Sequence, residues 1–175
     1  MVMIPDILDR NARRSPDKTA VVCEGRRYTF SQLRERSNRL ANGLLALDAR
    51  KGDRVAVLAQ NCSEYVEVYC AAALAGLITT PINWRFVEKE LVKVINFVEP
   101  CILIVEAEFA STVEAIRPQI PFVRSILIIG GERPGMRQYE ALIAGSPAQA
   151  SSVQVAPEDL ACLIHTSGTT GTPKE

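Results

Sequence analysis

Val55-Ala56-Val57-Leu58-Ala59 is an unbroken apolar run, and Leu77-Ile78-Thr79-Thr80 is a second strand-like stretch. Between them Val66, Tyr69, Cys70 and Ala73 recur at helical spacing, and Gly76 closes the segment. Short apolar runs bounded by turn residues read as strands buried on both faces, while a 3.6-residue period reads as a helix lying against them. Strand, helix and strand in this order form a parallel crossover unit.

The alternation continues in both directions. Downstream, Leu91, Val94, Ile95 and Val98 make another helical stripe, which Pro100 ends. Residues 101–105 read as a strand, 109–116 as a helix and 125–129 as a strand. Gly130, Gly131 and Gly135 mark a loop, and residues 139–144 suit one or two helical turns. Residues 145–157 are rich in Ser, Ala, Gln and Pro and read as a linker. Residues 160–164 are the last apolar run and read as a buried strand. Upstream, residues 5–14 suit a short helix stopped by Ser15-Pro16. Residues 20–23 and 26–28 suit a hairpin turning at Glu24-Gly25. Thr29 and Gln32 form a capping box, with Tyr28 placed to staple onto Leu33. The helix that follows puts Leu33, Ser37, Leu40, Ala41, Leu44 and Leu45 on one face. The expected fold class is α/β: a mostly parallel β-sheet flanked by helices on both faces, with a small N-terminal β-hairpin. Residues 1–150 are expected to form one α/β unit, and 151–175 a linker, a strand and a loop.

Charge and cysteines exclude several functions. Lys plus Arg and Asp plus Glu number 20 each, so no net field draws nucleic acid or an acidic membrane. No apolar run approaches the length of a membrane span, and the first residues lack the pattern of a signal peptide. Five cysteines form no C-x-x-C pair and only one His is present, which argues against a structural zinc site. Reduced, buried thiols and a cytoplasmic location are the expectation.

The end of the chain carries the chemistry. After residues 160–164 comes His165-Thr166-Ser167-Gly168-Thr169-Thr170-Gly171-Thr172-Pro173-Lys174. Gly168 and Gly171 permit a tight turn and close backbone approach. Ser167, Thr166, Thr169 and Thr170 offer rotatable hydroxyl donors, and Lys174 a compact positive charge. These groups suit a polyphosphate, although the composition also fits a polar linker. The spacing is not that of a Walker A loop: the glycines are too close, and Pro173 precedes the lysine.

The run from His165 to Lys174 resembles the phosphate-binding signature of the adenylate-forming superfamily. That group comprises acyl-CoA synthetases, luciferase-like enzymes and peptide-synthetase adenylation domains. Its pattern is an aromatic residue or His, then T-S-G-T-T-G, any residue, and P-K-G. Glu175 departs from it by standing in place of the final Gly. Tyr28-Thr29-Phe30-Ser31-Gln32-Leu33, Lys51-Gly52-Asp53-Arg54-Val55-Ala56 and Asn61 through Gly76 are similar to early segments of these enzymes. Pro81-Ile82-Asn83-Trp84-Arg85-Phe86 resembles the acyl-CoA synthetase form, which argues against a peptide-synthetase domain.

The resemblance implies a ligase that activates a carboxylic acid with ATP and Mg²⁺ and passes the acyl group to CoA. It implies that Thr166, Ser167, Gly168, Thr169, Thr170, Gly171 and Lys174 hold the β and γ phosphates. No catalytic residue and no metal ligand is assigned. His165 either lines the nucleotide or acyl site or is a satisfied strand-end histidine. Asn83 and Arg85 read as structural, Trp84 as a packing residue, and Glu64, Glu67, Glu88 and Glu90 as dipole-complementing residues at helix starts. The chain matches only the N-terminal part of such enzymes, so on its own it is expected to be inactive and to bind ATP poorly. Sheet surfaces that further chain would cover make a homodimer an expectation too. The rival reading is a non-catalytic α/β module that works by association.

Overall fold

The computed structural model describes residues 3–165. Residues 1–2 and 166–175 lie outside that range, and with them the whole proposed phosphate loop from Thr166 to Lys174.

Helix α1 (Ile4–Arg14) leads into a hairpin of β1 (Thr19–Cys23) and β2 (Arg26–Thr29). Its strands pair antiparallel, and Glu24 and Gly25 both take positive φ at the turn. Helix α2 (Phe30–Ala46) starts at the expected capping box. The backbone N–H of Gln32 donates to Thr29 Oγ1 at 3.2 Å, and the N–H of Thr29 donates to Gln32 Oε1 at 2.9 Å. Two orphan donors are thus satisfied at the point where the helix must begin.

The main sheet contains β3 (Arg54–Leu58), β4 (Ile78–Pro81), β5 (Ile102–Glu106), β6 (Ser125–Ile129) and β7 (Arg137–Gln138). Its order is β4-β3-β5-β6-β7, and every pairing is parallel. Helices α3 (Ser63–Ala75), α4 (Glu88–Val98), α5 (Ala110–Ile116) and α6 (Tyr139–Gly145) complete the unit. Because side chains alternate along a strand, each strand feeds two cores. Val55, Val57, Ile102, Ile104, Leu127 and Ile129 pack with α2, α3 and α6. Ala56, Leu58, Leu103, Val105, Ile126 and Ile128 pack with α4 and α5. Both faces are covered, as the continuous apolar runs require.

Several expectations need correction. Helix α3 does not bury a stripe containing Val66, which is 37% exposed. Its inward side carries Glu64, Glu67, Val68, Ala71, Ala72 and Ala75. Apolar residues surround most of this helix because α2 and the sheet flank it on two sides, so periodicity alone does not single out a face. Strand β7 lies between the Gly130–Gly135 loop and the helix at Tyr139, where no element was expected; two exposed residues give too little pattern to register. Residues 160–164 are not a buried strand. Cys162 makes one parallel bridge to Thr79, while Leu160 and Ile164 are 64% and 67% exposed. This run lies on the outer edge of β4, where only one side has a strand to pair with.

The segment read as a linker has no regular structure, yet α2 holds it in place. Arg39 Nη1 donates to the Ser146 carbonyl at 2.7 Å, and Asn38 Nδ2 to that of Ala148 at 3.0 Å. Asn42 Nδ2 reaches the carbonyls of Pro147 and Gln149 at 2.8 and 2.9 Å. These side chains satisfy carbonyls that no ladder serves.

Candidate functional site

Strands β3 and β5 are neighbours, but the chain leaves β3 toward α3 on one face and reaches β5 from α4 on the other. That reversal opens a crevice at the carboxyl ends of the strands, the usual ligand position in an open α/β sheet. A cavity of about 690 Å³ lies there, lined by Gln60 and Asn61 after β3, Glu106 at the end of β5 with Ala107 and Glu108 after it, and Gly130 after β6. Trp84 and Arg85 form one wall. The Arg85 guanidinium stacks over the Trp84 ring at 4.5 Å, and the Arg85 N–H donates to Asn83 Oδ1 at 3.1 Å. Trp84 packs against Phe109, with ring centroids 6.3 Å apart. Packing therefore accounts for Trp84, and Asn83 shapes the turn.

Among the described residues the lining of the crevice is predominantly acidic. Five carboxylates line it, on Glu24, Glu64, Glu106, Glu108 and Glu140, against the two cations Arg26 and Arg85. The amino end of α3 points a helix dipole toward this region, where a bound anion is commonly found. The protein's own Glu64 fills that role. Glu64 is 3% exposed and accepts from Arg26 Nη1 at 2.9 Å, Arg26 Nη2 at 3.4 Å and Ser63 Oγ at 3.0 Å. Burial raises its pKa, but the bonds from Arg26, its own backbone and Ser63 more than offset this and hold it below the usual range. Glu106 accepts from the Gln60 N–H at 2.8 Å, and Glu108 from Gln60 Nε2 at 2.7 Å.

One turn along α3, Glu67 is 1% exposed and forms a second buried centre. It accepts from Arg36 Nε at 2.6 Å and Arg36 Nη2 at 3.1 Å, and from the Tyr139 hydroxyl at 2.9 Å. Arg36 also donates to both Glu140 oxygens. Sequence places Glu64 and Glu67 at a helix start, where they complement the dipole, and does not show this network. Their spacing carries a signal: Glu64, Glu67, Ala71 and Ala75 share one helical face, so two carboxylates stand in line with small apolar residues. Such groups need buried cationic partners.

A second region precedes the proposed phosphate loop in the chain. Lys51 Nζ donates to the Gln154 carbonyl at 2.8 Å and pairs with Asp159 at 2.6 Å. Asp159 Oδ2 also accepts from the Ala156 N–H at 2.6 Å. The chain then reaches the edge of β4. The N–H of Thr79 donates to the Ala161 carbonyl at 3.1 Å, and that of Leu163 to the Thr79 carbonyl at 2.9 Å. Cys162 Sγ lies 3.9 Å from the Tyr69 hydroxyl. His165 ends the described residues, half-buried and edge-on to Phe97 of α4 at 6.1 Å. Burial lowers its pKa. Among the described residues no group of three or more His, Cys, Asp or Glu is arranged to hold a metal ion. No helix among them is long and apolar enough to cross a membrane.

Comparison with known proteins settles the family. The sequence pattern of the AMP-binding enzymes matches residues 8–175. This chain belongs to the AMP-binding enzyme family. A medium/long-chain-fatty-acid–CoA/3-oxocholest-4-en-26-oate–CoA ligase of Mycobacterium tuberculosis is 33% identical over 98% of the chain and 32% of its own length. A 3-hydroxybenzoate–CoA/4-hydroxybenzoate–CoA ligase of Thauera aromatica is 31% identical over 90% of the chain and 31% of its own length. The crystal structure of the anthranilate CoA ligase AuaEII in complex with anthranoyl-AMP superposes with a TM-score of 0.93. It is 31% identical, covering 98% of this chain and 33% of that one. The chain thus spans about a third of these relatives, and the family resemblance inferred from the His165–Lys174 motif holds over nearly its whole length.

Proposed function

We propose that this chain is the N-terminal part of an ATP-dependent acid–CoA ligase. The observation that carries the reading is the family match over residues 8–175, together with relatives whose names are acid–CoA ligases. In the reaction a carboxylate oxygen attacks the α-phosphorus of ATP, giving an acyl-adenylate and pyrophosphate. The thiol of CoA then attacks the acyl carbon, and AMP leaves. The two relatives act on different acids by name, one fatty or steroidal and one aromatic, so the shared chemistry is the carboxylate.

Thr166, Ser167, Thr169, Thr170 and Lys174 are the residues for the β and γ phosphates, with Gly168 and Gly171 permitting close approach. They stabilise the negative charge of the departing pyrophosphate by positioned donors and a cation. Mg²⁺ supplies charge neutralisation on the phosphates when bound. Among the described residues no group of three or more His, Cys, Asp or Glu is arranged to hold it. Free thiols at all five cysteines fit action in the reducing cytoplasm.

The test is acid-dependent ATP–pyrophosphate exchange by the full-length protein across a panel of fatty, steroidal and aromatic acids. Exchange with at least one acid, lost or weakened for ATP in Lys174→Ala, is the expected result. A full-length protein that neither exchanges nor binds ATP would return the reading to the association module.

A further inference from the structure

The ordering of residues 146–163 is unexpected for a Ser/Ala/Gln/Pro segment, and its tightest point is a clasp. Lys51 sits in the loop before β3, and its ammonium holds two groups of the segment at once: the Gln154 carbonyl at 2.8 Å and the Asp159 carboxylate at 2.6 Å. Asp159 in turn folds its own neighbourhood by accepting from the Ala156 N–H. The stem of Lys51 needs room to make this reach, and Gly76 provides it. Gly76 has φ of +65°, and a Cβ there would stand 2.9 Å from Lys51 Cγ and 3.3 Å from Val153 Cγ1. The Gly52 N–H donates to the Gly76 carbonyl at 2.8 Å, locking the two corners together. Two residues beyond Asp159 the chain takes up its register on Thr79, through Ala161 and Leu163.

We propose that Lys51 and Asp159 are positioning residues for the ATP phosphate loop. The clasp fixes the strap 146–163 against the corners at Gly52 and Gly76, which sets the Thr79–Cys162 register just upstream of Thr166. The inference rests on the ligase reading above, because it assigns the pair to ATP binding through that loop. Neither side chain touches ATP in this scheme. They act by holding the described chain in one place immediately upstream of the residues assigned to ATP, which is preorganisation of a binding segment.

The experiment measures the dissociation constant for ATP by isothermal titration in the full-length protein, with the thermal midpoint without ATP as a control. Lys51→Met keeps the stem in the Gly76 groove and removes the charge. Lys51→Met and Asp159→Asn are each expected to weaken ATP binding by about two- to fivefold, the range of a partly exposed pair. The double variant is expected to be no weaker than either single one, Lys51→Arg to recover most of the loss, and the thermal midpoint to stay within a degree or so of the parent. Unchanged ATP affinity in both single variants would overturn the proposal. So would a weakening that Lys51→Arg does not rescue, or one matched by a fall in thermal midpoint, since each denotes general destabilisation. Lys174→Ala separates the two levels. If it weakens ATP binding while the clasp variants do not, only the positioning role fails. If it too leaves affinity unchanged, the phosphate-loop reading fails with it.

Discussion

The hydroxyl of Tyr139 donates to Oε2 of Glu67 at 2.9 Å across 72 positions of sequence. It joins the first residue of α6 to the middle of α3, and Arg36 of α2 completes the centre from the other side. Burial, and then the Glu67 carboxylate, push the Tyr139 pKa well above its usual value, so the phenol is a permanent donor. Three helices on one face of the sheet therefore meet at a single carboxylate.

Tyr139→Phe removes one donor and leaves Glu67 with Arg36. It should cost about 1 kcal/mol in urea unfolding. Glu67→Leu leaves the half-buried Arg36 with only the exposed Glu140, and about 3 kcal/mol is expected. If the Leu variant is no less stable than the Phe variant, Glu67 is not the centre described.

Glu64 makes stability depend on pH. Its folded pKa is depressed, so its stabilisation is complete above the unfolded value of about 4.3 and is lost as pH falls through the lower folded value. Glu64→Gln should therefore be less stable than the parent at pH 7, with the gap narrowing below about pH 4. Thermal midpoints of both proteins across that range provide the check. A gap independent of pH would show that charge at Glu64 contributes nothing.

Cys62, Cys70 and Cys101 have thiols pushed up to about 11 by burial. At pH 8 only about one in a thousand is then thiolate, the form that reacts. Iodoacetamide should label these three slowly in the native protein and fast in urea, as read by mass spectrometry. Rapid native labelling of Cys70 would contradict its burial.

Gly43 lies where α2 meets α6. A Cβ there would stand 2.7 Å from Leu142 Cγ and 2.8 Å from Ser146 Oγ. Gly43→Ala should cost about 1–3 kcal/mol, because α6 must move outward. Gly145→Ala, which meets open space, is the matched control and should change stability by less than about 1 kcal/mol.

The sheet was legible because its strands are buried on both sides. Val55 to Ala59, Cys101 to Val105 and Ser125 to Ile129 show runs that neither a loop nor a half-exposed strand would keep. The capping box at Thr29 was legible because it is local. What escaped was long-range or weakly patterned. Glu64 finds Arg26 38 positions away and Glu67 finds Arg36 31 positions away, and no window of sequence shows either pair. The Asn and Arg side chains of α2 that bind carbonyls 146–149 look like an ordinary polar face. Of the candidate site, the sequence named the residues from Thr166 to Lys174 by their chemistry, and the family match extends through them. Lys51 gave no sign of its part, since a lysine beside Gly52 and Asp53 reads as a solvated turn.

The strap also carries information about the order of assembly. Lys51 meets Gln154 across 103 positions, and Arg39 meets Ser146 across 107. Long closures of this kind are favourable only once their anchor points exist, because the entropy of closing them comes before any reward. Helix α2, the Gly76 corner and strand β4 all come earlier in the chain and form a template onto which the later segment is laid. The last backbone to find its place is thus the one that carries the chain toward its chemistry. An error made early, where α2 meets α3, is inherited there as a displaced starting point.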